Sequence, residues 1–287
     1  MKEFVVVNHK EVHLQTYIWE PTYETNKAIL LVHSYGDNCY RYDWLASELV
    51  KQGYVVCAYD MVAHGRSGGL RAKWISLDDL LADLKLMIDW FKSQVNATYW
   101  FGLGMGFGAN LLAVNQLETP QIFFSGHCLW APIVKLSTRF PKVILDSILY
   151  VNSFTSHLNV LTLQANMLAA NTEKLYSEIP DWDDDYGKVS AKTAGIVINS
   201  GKTILKNWDK LSNPIWVGWG KNDQLVDADW LRQSESDSLA STKEFHEFEN
   251  AYHYLDHCDI GLEVVNSMKT WLRAKVTSVE VLNKSAV

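Results

Sequence analysis

Hydrophobic residues along this chain fall into short runs divided by polar, glycine-bearing turns, and the runs alternate between strand-like and helix-like spacing. Phe4–Val7 and Val12–Trp19 predict two strands joined by a polar turn around Asn8–Lys10, an antiparallel hairpin. Ala28–His33 and Tyr54–Tyr59 are continuous apolar runs, which suit strands buried on both faces of a mainly parallel sheet. Helical spacing follows each of them. Arg41–Gln52 is closed by Gly53, and Leu77–Phe91 sets Leu80, Leu81, Leu84, Met87, Ile88 and Phe91 along one side. A strand over 98–103, a helix from about Phe107 to Leu117 and a strand-like Ile122–Trp130 complete this half. The alternation predicts a doubly wound α/β fold with helices on both faces of the sheet.

From Pro132 to about Leu211 the pattern changes. Phe140–Val151, Leu158–Ala170 and Val189–Trp208 read as helices, with the acidic run Asp181–Asp185 as a solvated loop and no strand expected. This stretch reads as an inserted helical cap, 132–211, in a core formed by 1–131 and 212–275. The core pattern resumes with a strand at Pro214–Gly220, a helix at Asp227–Ala240, a strand at Lys243–Phe248 and a last helix at Leu255–Leu272. Residues 276–287 read as a weakly ordered tail.

Composition narrows the function. The formal net charge is -7, so a nucleic-acid partner has no electrostatic footprint. Cys39, Cys57, Cys128 and Cys258 lack paired spacing and read as reduced thiols. No apolar run has the length of a signal-peptide core or a membrane span, and a cytoplasmic location is expected.

The candidate chemistry centres on Gly102-Leu103-Gly104-Met105-Gly106-Phe107-Gly108, a glycine-rich turn between a strand and a helix. Such a turn is a dinucleotide fingerprint, a P-loop or the G-x-S-x-G nucleophile elbow. A fingerprint needs an acidic residue at a strand end about twenty positions on, which is missing. Framed as an elbow between Gly102 and Gly106, the turn has Gly104 at its centre. Asp223 and His253 both follow predicted strands, and the order 104, 223, 253 is that of nucleophile, acid and base. His253 and His257 lie near Asp256, Cys258 and Asp259, but no H-E-x-x-H accompanies them. No metal or cofactor is expected.

Five segments in order make the reading specific. Val32-His33-Ser34-Tyr35-Gly36-Asp37 with Arg41-Tyr42, Asp60–Gly69, Gly102–Gly106, Trp219–Asp223 and Asn250–Leu255 resemble the monoacylglycerol lipase and lysophospholipase branch of the α/β-hydrolases, the serine aminopeptidase-like group. The resemblance implies a serine hydrolase that cleaves a carboxylic ester of a small lipid, with Asp223 as acid and His253 as base. Its oxyanion donors would be the backbone N–H groups of Tyr35 and Met105. The cap would form an apolar acyl tunnel through Phe140, Val143, Ile144, Ile148, Leu149, Leu161, Leu163 and Met167, with peripheral membrane contact through the cap. Three residues depart from the family pattern. Leu103 replaces a His, Ser34 replaces a Gly in the oxyanion segment, and Gly104 stands at the nucleophile position. Gly104 fits either a deliberate Ser→Gly change or a natural pseudo-hydrolase that binds a hydrophobic ligand without cleaving it. The intact Asp223–His253 pair favours the first, under which Gly104→Ser would yield an esterase.

Overall fold

The computed structural model describes residues 1–119, 123–154, 158–180, 182–237, 242–257 and 260–285. Strands β1 (Lys2–Val7) and β2 (His13–Trp19) form the expected hairpin, in register from Lys2 opposite Ile18 to Val7 opposite His13. The parallel strands follow as β3 (Lys27–Val32), β4 (Val55–Tyr59), β5 (Tyr99–Met105) and β6 (Gly126–Trp130). Between β6 and β9 lie β7 (Asn159–Thr162) and β8 (Lys188–Ser190); β9 (Ile215–Gly220) and β10 (Lys243–Phe248) then complete the sheet. Eight strands form one sheet in the order β1-β2-β4-β3-β5-β6-β9-β10. Only the β1–β2 and β2–β4 pairings in it are antiparallel.

The helices are α1 (Asp43–Val50), α2 (Leu77–Gln94), α3 (Phe107–Glu118), α4 (Lys142–Asn152), α5 (Ala165–Leu168), α6 (Thr172–Glu178), α7 (Ala191–Lys206), α8 (Ala228–Asp237) and α9 (Gly261–Ser285). Alternate strand residues feed two cores. Leu30 and Val32 pack with Leu84, Met87 and Phe91 of α2 and Leu111 and Leu112 of α3 on one face. Ile29, Leu31, Phe101 and Leu103 pack with Leu45 and Leu49 of α1 and Val264, Met268 and Trp271 of α9 on the other. Period-2 alternation within runs that are apolar throughout gives a sheet buried on both faces. Ser76 caps α2 by accepting from the Asp79 N–H, and Asp78 and Asp79 set negative charge at the positive end of that helix.

The chain leaves β3 for β4 on one side and returns to β5 on the other. The carboxyl ends of β3 and β5 therefore flank a topological switch point, where crevices open in sheets of this kind. Both expected site loops, after β3 and after β5, meet there.

Several expectations change. Leu158–Ala170 is not one helix: β7 pairs antiparallel with β8, and only the short α5 follows. The β preference of Val160, Leu161 and Thr162, with Leu161 opposite Val189 and Thr162 opposite Lys188, overrides the helical spacing. The stretch between β6 and β9 is thus mostly helical but contains a two-stranded sheet. Residues 182–186 of the acidic segment form one turn of π-helix rather than a loop, with Trp182 and Tyr186 buried. The last helix continues along its backbone to Ser285, past the expected end at Leu272. Ile122, His157, Asp181, Ala240, Cys258 and Asp259 lie outside the described residues.

Candidate active site

Three loops at the carboxyl ends of β3, β5 and β9, and a fourth after β10, bring the site together. Asp223 follows β9. Its Oδ1 accepts from the N–H groups of Leu225 (2.7 Å) and Val226 (3.1 Å), which fixes the carboxylate plane. Its Oδ2 lies 2.7 Å from His253 Nδ1. His253 sits after β10 on a loop whose Asn250 takes a left-handed φ of 57° and whose Tyr254 N–H donates to Leu168 O at 2.8 Å. Both side chains are almost fully buried, and the carboxylate holds the imidazole with Nε2 pointing away from it. Nε2 has no hydrogen-bond partner among the described residues. The expected acid and base are therefore neighbours with the geometry of an oriented base.

The glycine turn is placed differently from its expected frame. Gly104 is inside β5, opposite Val32 of β3 and Leu129 of β6. A Cβ there would stand 2.4 Å from Ala109 Cα and 2.5 Å from Ala109 N, within the backbone of α3. A side chain there would run into backbone, so this backbone does not present position 104 as the apex of an elbow. The apex is Gly106, which has φ 50° and ψ -112° and directly precedes α3. A Cβ on Gly106 would lie 3.0 Å from His253 Nε2 and 2.3 Å from Ser34 Oγ. The elbow is Gly104-Met105-Gly106-Phe107-Gly108, two residues later than the sequence frame, and its apex carries no side chain.

The oxyanion donors shift with it. Met105 belongs to β5, buried and opposite Trp130. The N–H that follows the apex is that of Phe107, and it donates to Ser34 Oγ at 3.1 Å. The second expected donor, the Tyr35 N–H, lies on the loop after β3 and has no acceptor among the described residues. Ser34, whose presence in place of glycine bears on this loop, is not in the left-handed region; Gly36 takes that conformation, at φ 72°. The His33 Nδ1–H donates to the Ser34 carbonyl at 2.6 Å, and His33 Nε2 accepts from the Met61 N–H at 2.8 Å.

Arg41 braces the site from behind. Its side chain is 1 % exposed, with Nε 2.7 Å from Asp37 Oδ1 and Nη1 2.8 Å from Asp256 Oδ2. The guanidinium lies over the rings of Tyr42 and Tyr254, 4.5 and 4.6 Å from their centroids. Burial alone would raise the Asp37 pKa, but the charge and hydrogen bonds of Arg41, together with His33 and the Tyr42 hydroxyl, hold the carboxyl below its usual range. Of the residues weighed for a metal, Asp256 is committed to Arg41 and His253 to Asp223. Among the described residues His33, Cys39 and Asp60 come close enough to share a cation. Both His33 nitrogens are already engaged, and burial pushes the Cys39 thiol pKa up, which disfavours a thiolate ligand.

An apolar cavity opens beside the dyad. Ser34, Tyr35, His253 and Tyr254 meet side chains from the β6–β9 stretch there, including Ile133, Leu145, Ile148, Leu161, Leu163 and Ile198. Of the expected tunnel residues, Ile148, Leu161 and Leu163 line this cavity, whereas Val143 and Ile144 are exposed.

A family model described as Hydrolase_4, serine aminopeptidase S33, matches residues 23–257. The monoglyceride lipase of Homo sapiens is 26% identical over 269 residues, which cover 92% of this chain and 86% of that protein. The monoglyceride lipase of Rattus norvegicus is 23% identical over 280 residues, covering 94% and 90%. A soluble variant of the Saccharomyces cerevisiae monoglyceride lipase, solved with a substrate analog, has TM-score 0.80 at 17% identity, covering 96% of this chain and 94% of that one. The monoacylglycerol lipase of Paleococcus ferrophilus has TM-score 0.79 at 19% identity, covering 96% and 100%. The fold is that of the α/β-hydrolases, and no helix among the described residues is long and apolar enough to cross a membrane. The chain belongs to the Hydrolase_4 (serine aminopeptidase, S33) family, as a lipase/esterase-type α/β-hydrolase similar to the monoglyceride lipases.

Proposed function

We propose that this chain takes up a carboxylic ester of a single-chain lipid, a monoacylglycerol or lysophospholipid, with its acyl chain in the apolar cavity and its carbonyl beside His253. The carrying observation is that His253, held by Asp223, lines a cavity whose other walls, apart from Ser34 and Thr193, are aliphatic and aromatic side chains. Such a wall recognises a hydrocarbon chain by burial, while a few polar groups at one point fix the ester. In this reading the stretch between β6 and β9 is a cap. Val143, Ile144, Tyr150 and Phe154, exposed on α4 and just after it, support contact of the cap with a lipid surface from which the substrate enters. Cytoplasmic residence is part of the same reading, supported by the buried free thiols of Cys39, Cys57 and Cys128.

With no side chain at Gly106, the usual elbow nucleophile is absent, so binding and cleavage separate as questions. Binding is tested with a non-hydrolysable ether analogue, 1-O-hexadecylglycerol. At a hundred times its Kd it stabilises the folded state by about 2.7 kcal/mol, which at this chain length raises the melting temperature by about 4–5 °C. Ile198→Trp, which fills the cavity, removes the shift. A wild-type melting temperature unmoved by the analogue refutes the reading.

A further inference from the structure

The hydroxyl of Ser34 has no assigned role in the elbow chemistry, yet it occupies the space where an elbow side chain would begin. Its Oγ lies 2.3 Å from the point a Gly106 Cβ would take, and His253 Nε2 lies 3.0 Å from the same point. The two glycine departures are therefore one. Ser34 adds a side chain on the loop after β3, and Gly106 removes one on the facing turn, so that a single hydroxyl remains in front of the imidazole. We propose that Ser34 is the nucleophile of this chain, moved from the elbow to the opposite loop, with His253 as its base; this rests on the proposed ester site and supplies its missing group.

The surroundings suit that role. Ser34 is 2 % exposed and also lines the cavity. Its carbonyl is pinned by His33 and its Oγ by the Phe107 N–H, the first residue of the twelve-residue helix α3. Developing negative charge on Oγ thus faces the positive end of a helix. The hydroxyl accepts from Phe107, and its own proton has no acceptor among the described residues. His253 Nε2 has no donor. A proton with no acceptor and a base with no donor share one cavity wall. A rotation about the serine χ1 would join them and release the Phe107 N–H to the substrate's carbonyl oxygen; catalytic hydrogen bonds are commonly long before substrate binds. Unlike an elbow serine, Ser34 needs no left-handed backbone, because Gly106 carries that conformation.

The reaction balances without a co-reactant. His253 Nε2 takes the Ser34 Oγ proton as Oγ bonds to the ester carbonyl carbon. The carbonyl oxygen takes up the negative charge, with the Tyr35 and Phe107 N–H groups as donors. The carbon–alkoxy bond breaks, and His253 returns the proton to the departing alcohol, which leaves an acyl ester on Ser34. Water then gives a proton to His253, adds to the acyl carbon and releases the carboxylic acid as Oγ regains its proton.

The test uses the full chain, a fluorophosphonate probe with intact-mass and peptide mapping, and p-nitrophenyl ester hydrolysis. Wild type is expected to gain one phosphonyl group, mapped to Ser34. Ser34→Ala is expected to gain none and to lose at least about a hundredfold in hydrolysis, while still binding 1-O-hexadecylglycerol, which shows it folded. The double variant S34G/G106S returns the hydroxyl to the elbow and is expected to be labelled at position 106. If wild type is unlabelled, or labelled elsewhere, while the double variant is labelled at 106, the dyad and cavity stand and the Ser34 assignment is overturned. If neither protein reacts and neither binds the ether analogue, the ester site itself fails, and the assignment with it.

Discussion

Gly104→Ala separates the two possible frames of the elbow. A Cβ at 104 would stand 2.4 Å from Ala109 Cα, 2.5 Å from Ala109 N and 2.7 Å from Gly108 C. All three are backbone atoms, so no rotamer relieves the contact, and α3 must retreat by about 1 Å to reach ordinary van der Waals separation. Retreat is costly. A Cβ at Gly108 would already lie 2.1 Å from Val32 O, so the helix is seated against β3 as closely as a glycine allows. Leu111, Leu112 and Val114 are buried beneath it. Overpacking costs about 1–3 kcal/mol, and a contact with rigid backbone belongs at the upper end. With an unfolding entropy of about 2.1 cal/mol/K per residue, about 3 kcal/mol lowers the melting temperature of this chain by about 5 °C. Gly106→Ala meets only side chains, those of Ser34 and His253, and its cost comes mainly from its positive φ, about 2 kcal/mol or about 3 °C. Calorimetric or urea unfolding of both variants measures the difference. Replacing Ser34 by Gly relieves part of the Gly106→Ala cost and none of the Gly104→Ala cost, a coupling that a double-mutant cycle resolves. A Gly104→Ala or Gly104→Ser protein as stable as wild type would refute the assigned frame.

Two further predictions concern charge. Arg41→Lys keeps one positive charge but loses the fork that serves Asp37 and Asp256 together and the plane that lies over Tyr42 and Tyr254. It should cost about 3 kcal/mol in urea unfolding and slow phosphonate labelling as well, because Tyr254 adjoins the base; unchanged stability would show the network to be dispensable. Burial pushes the pKa values of His64 and His127 down to about 3 and about 4, and neither Nε2 has a partner. Unfolded, both titrate near the ordinary value of about 6.5, so between about pH 6 and pH 4 the unfolded chain binds more protons than the folded one. Stability therefore falls with decreasing pH, by about 1.4 kcal/mol per pH unit for each histidine. His127→Gln should remove about one proton from the uptake measured by urea midpoints across this range, and an unchanged slope would reject the contribution of His127.

The sheet was legible because its strands are buried on both faces and so appear as unbroken apolar runs, as at Ile29–Val32 and Val55–Ala58. The stretch between β6 and β9 was less legible because its structure depends on distant partners. Nothing local to Leu161 and Thr162 announces that Val189 and Lys188 will pair with them, and helical spacing of neighbouring apolar residues masks so short a strand. Asp223 and His253 were legible from their positions after strands, and the structure brings them within 2.7 Å.

The glycine turn admits two frames in the sequence for a physical reason. Glycines at 102, 104, 106 and 108 alternate with period 2, so the G-x-x-x-G spacing fits at 102 and 106 and equally at 104 and 108. What distinguishes the frames is the helix. In a strand–turn–helix unit the apex immediately precedes the first helical residue, and a helix beginning at Phe107 puts the apex at 106. Each glycine then has its own cause: Gly104 and Gly108 admit the close approach of α3 to β5 and β3, while Gly106 takes the left-handed turn. Ser34 was visible in the sequence only as a departure from the family pattern in the oxyanion segment. Its meaning depends on a contact across seventy-odd residues, that of its hydroxyl with the Phe107 N–H beside an empty Gly106. Neither substitution can be interpreted alone. A glycine at the apex reads as loss, and a serine on the facing loop reads as crowding. Together they keep one hydroxyl before one histidine, and that conjunction appears only when β3 and β5 lie side by side.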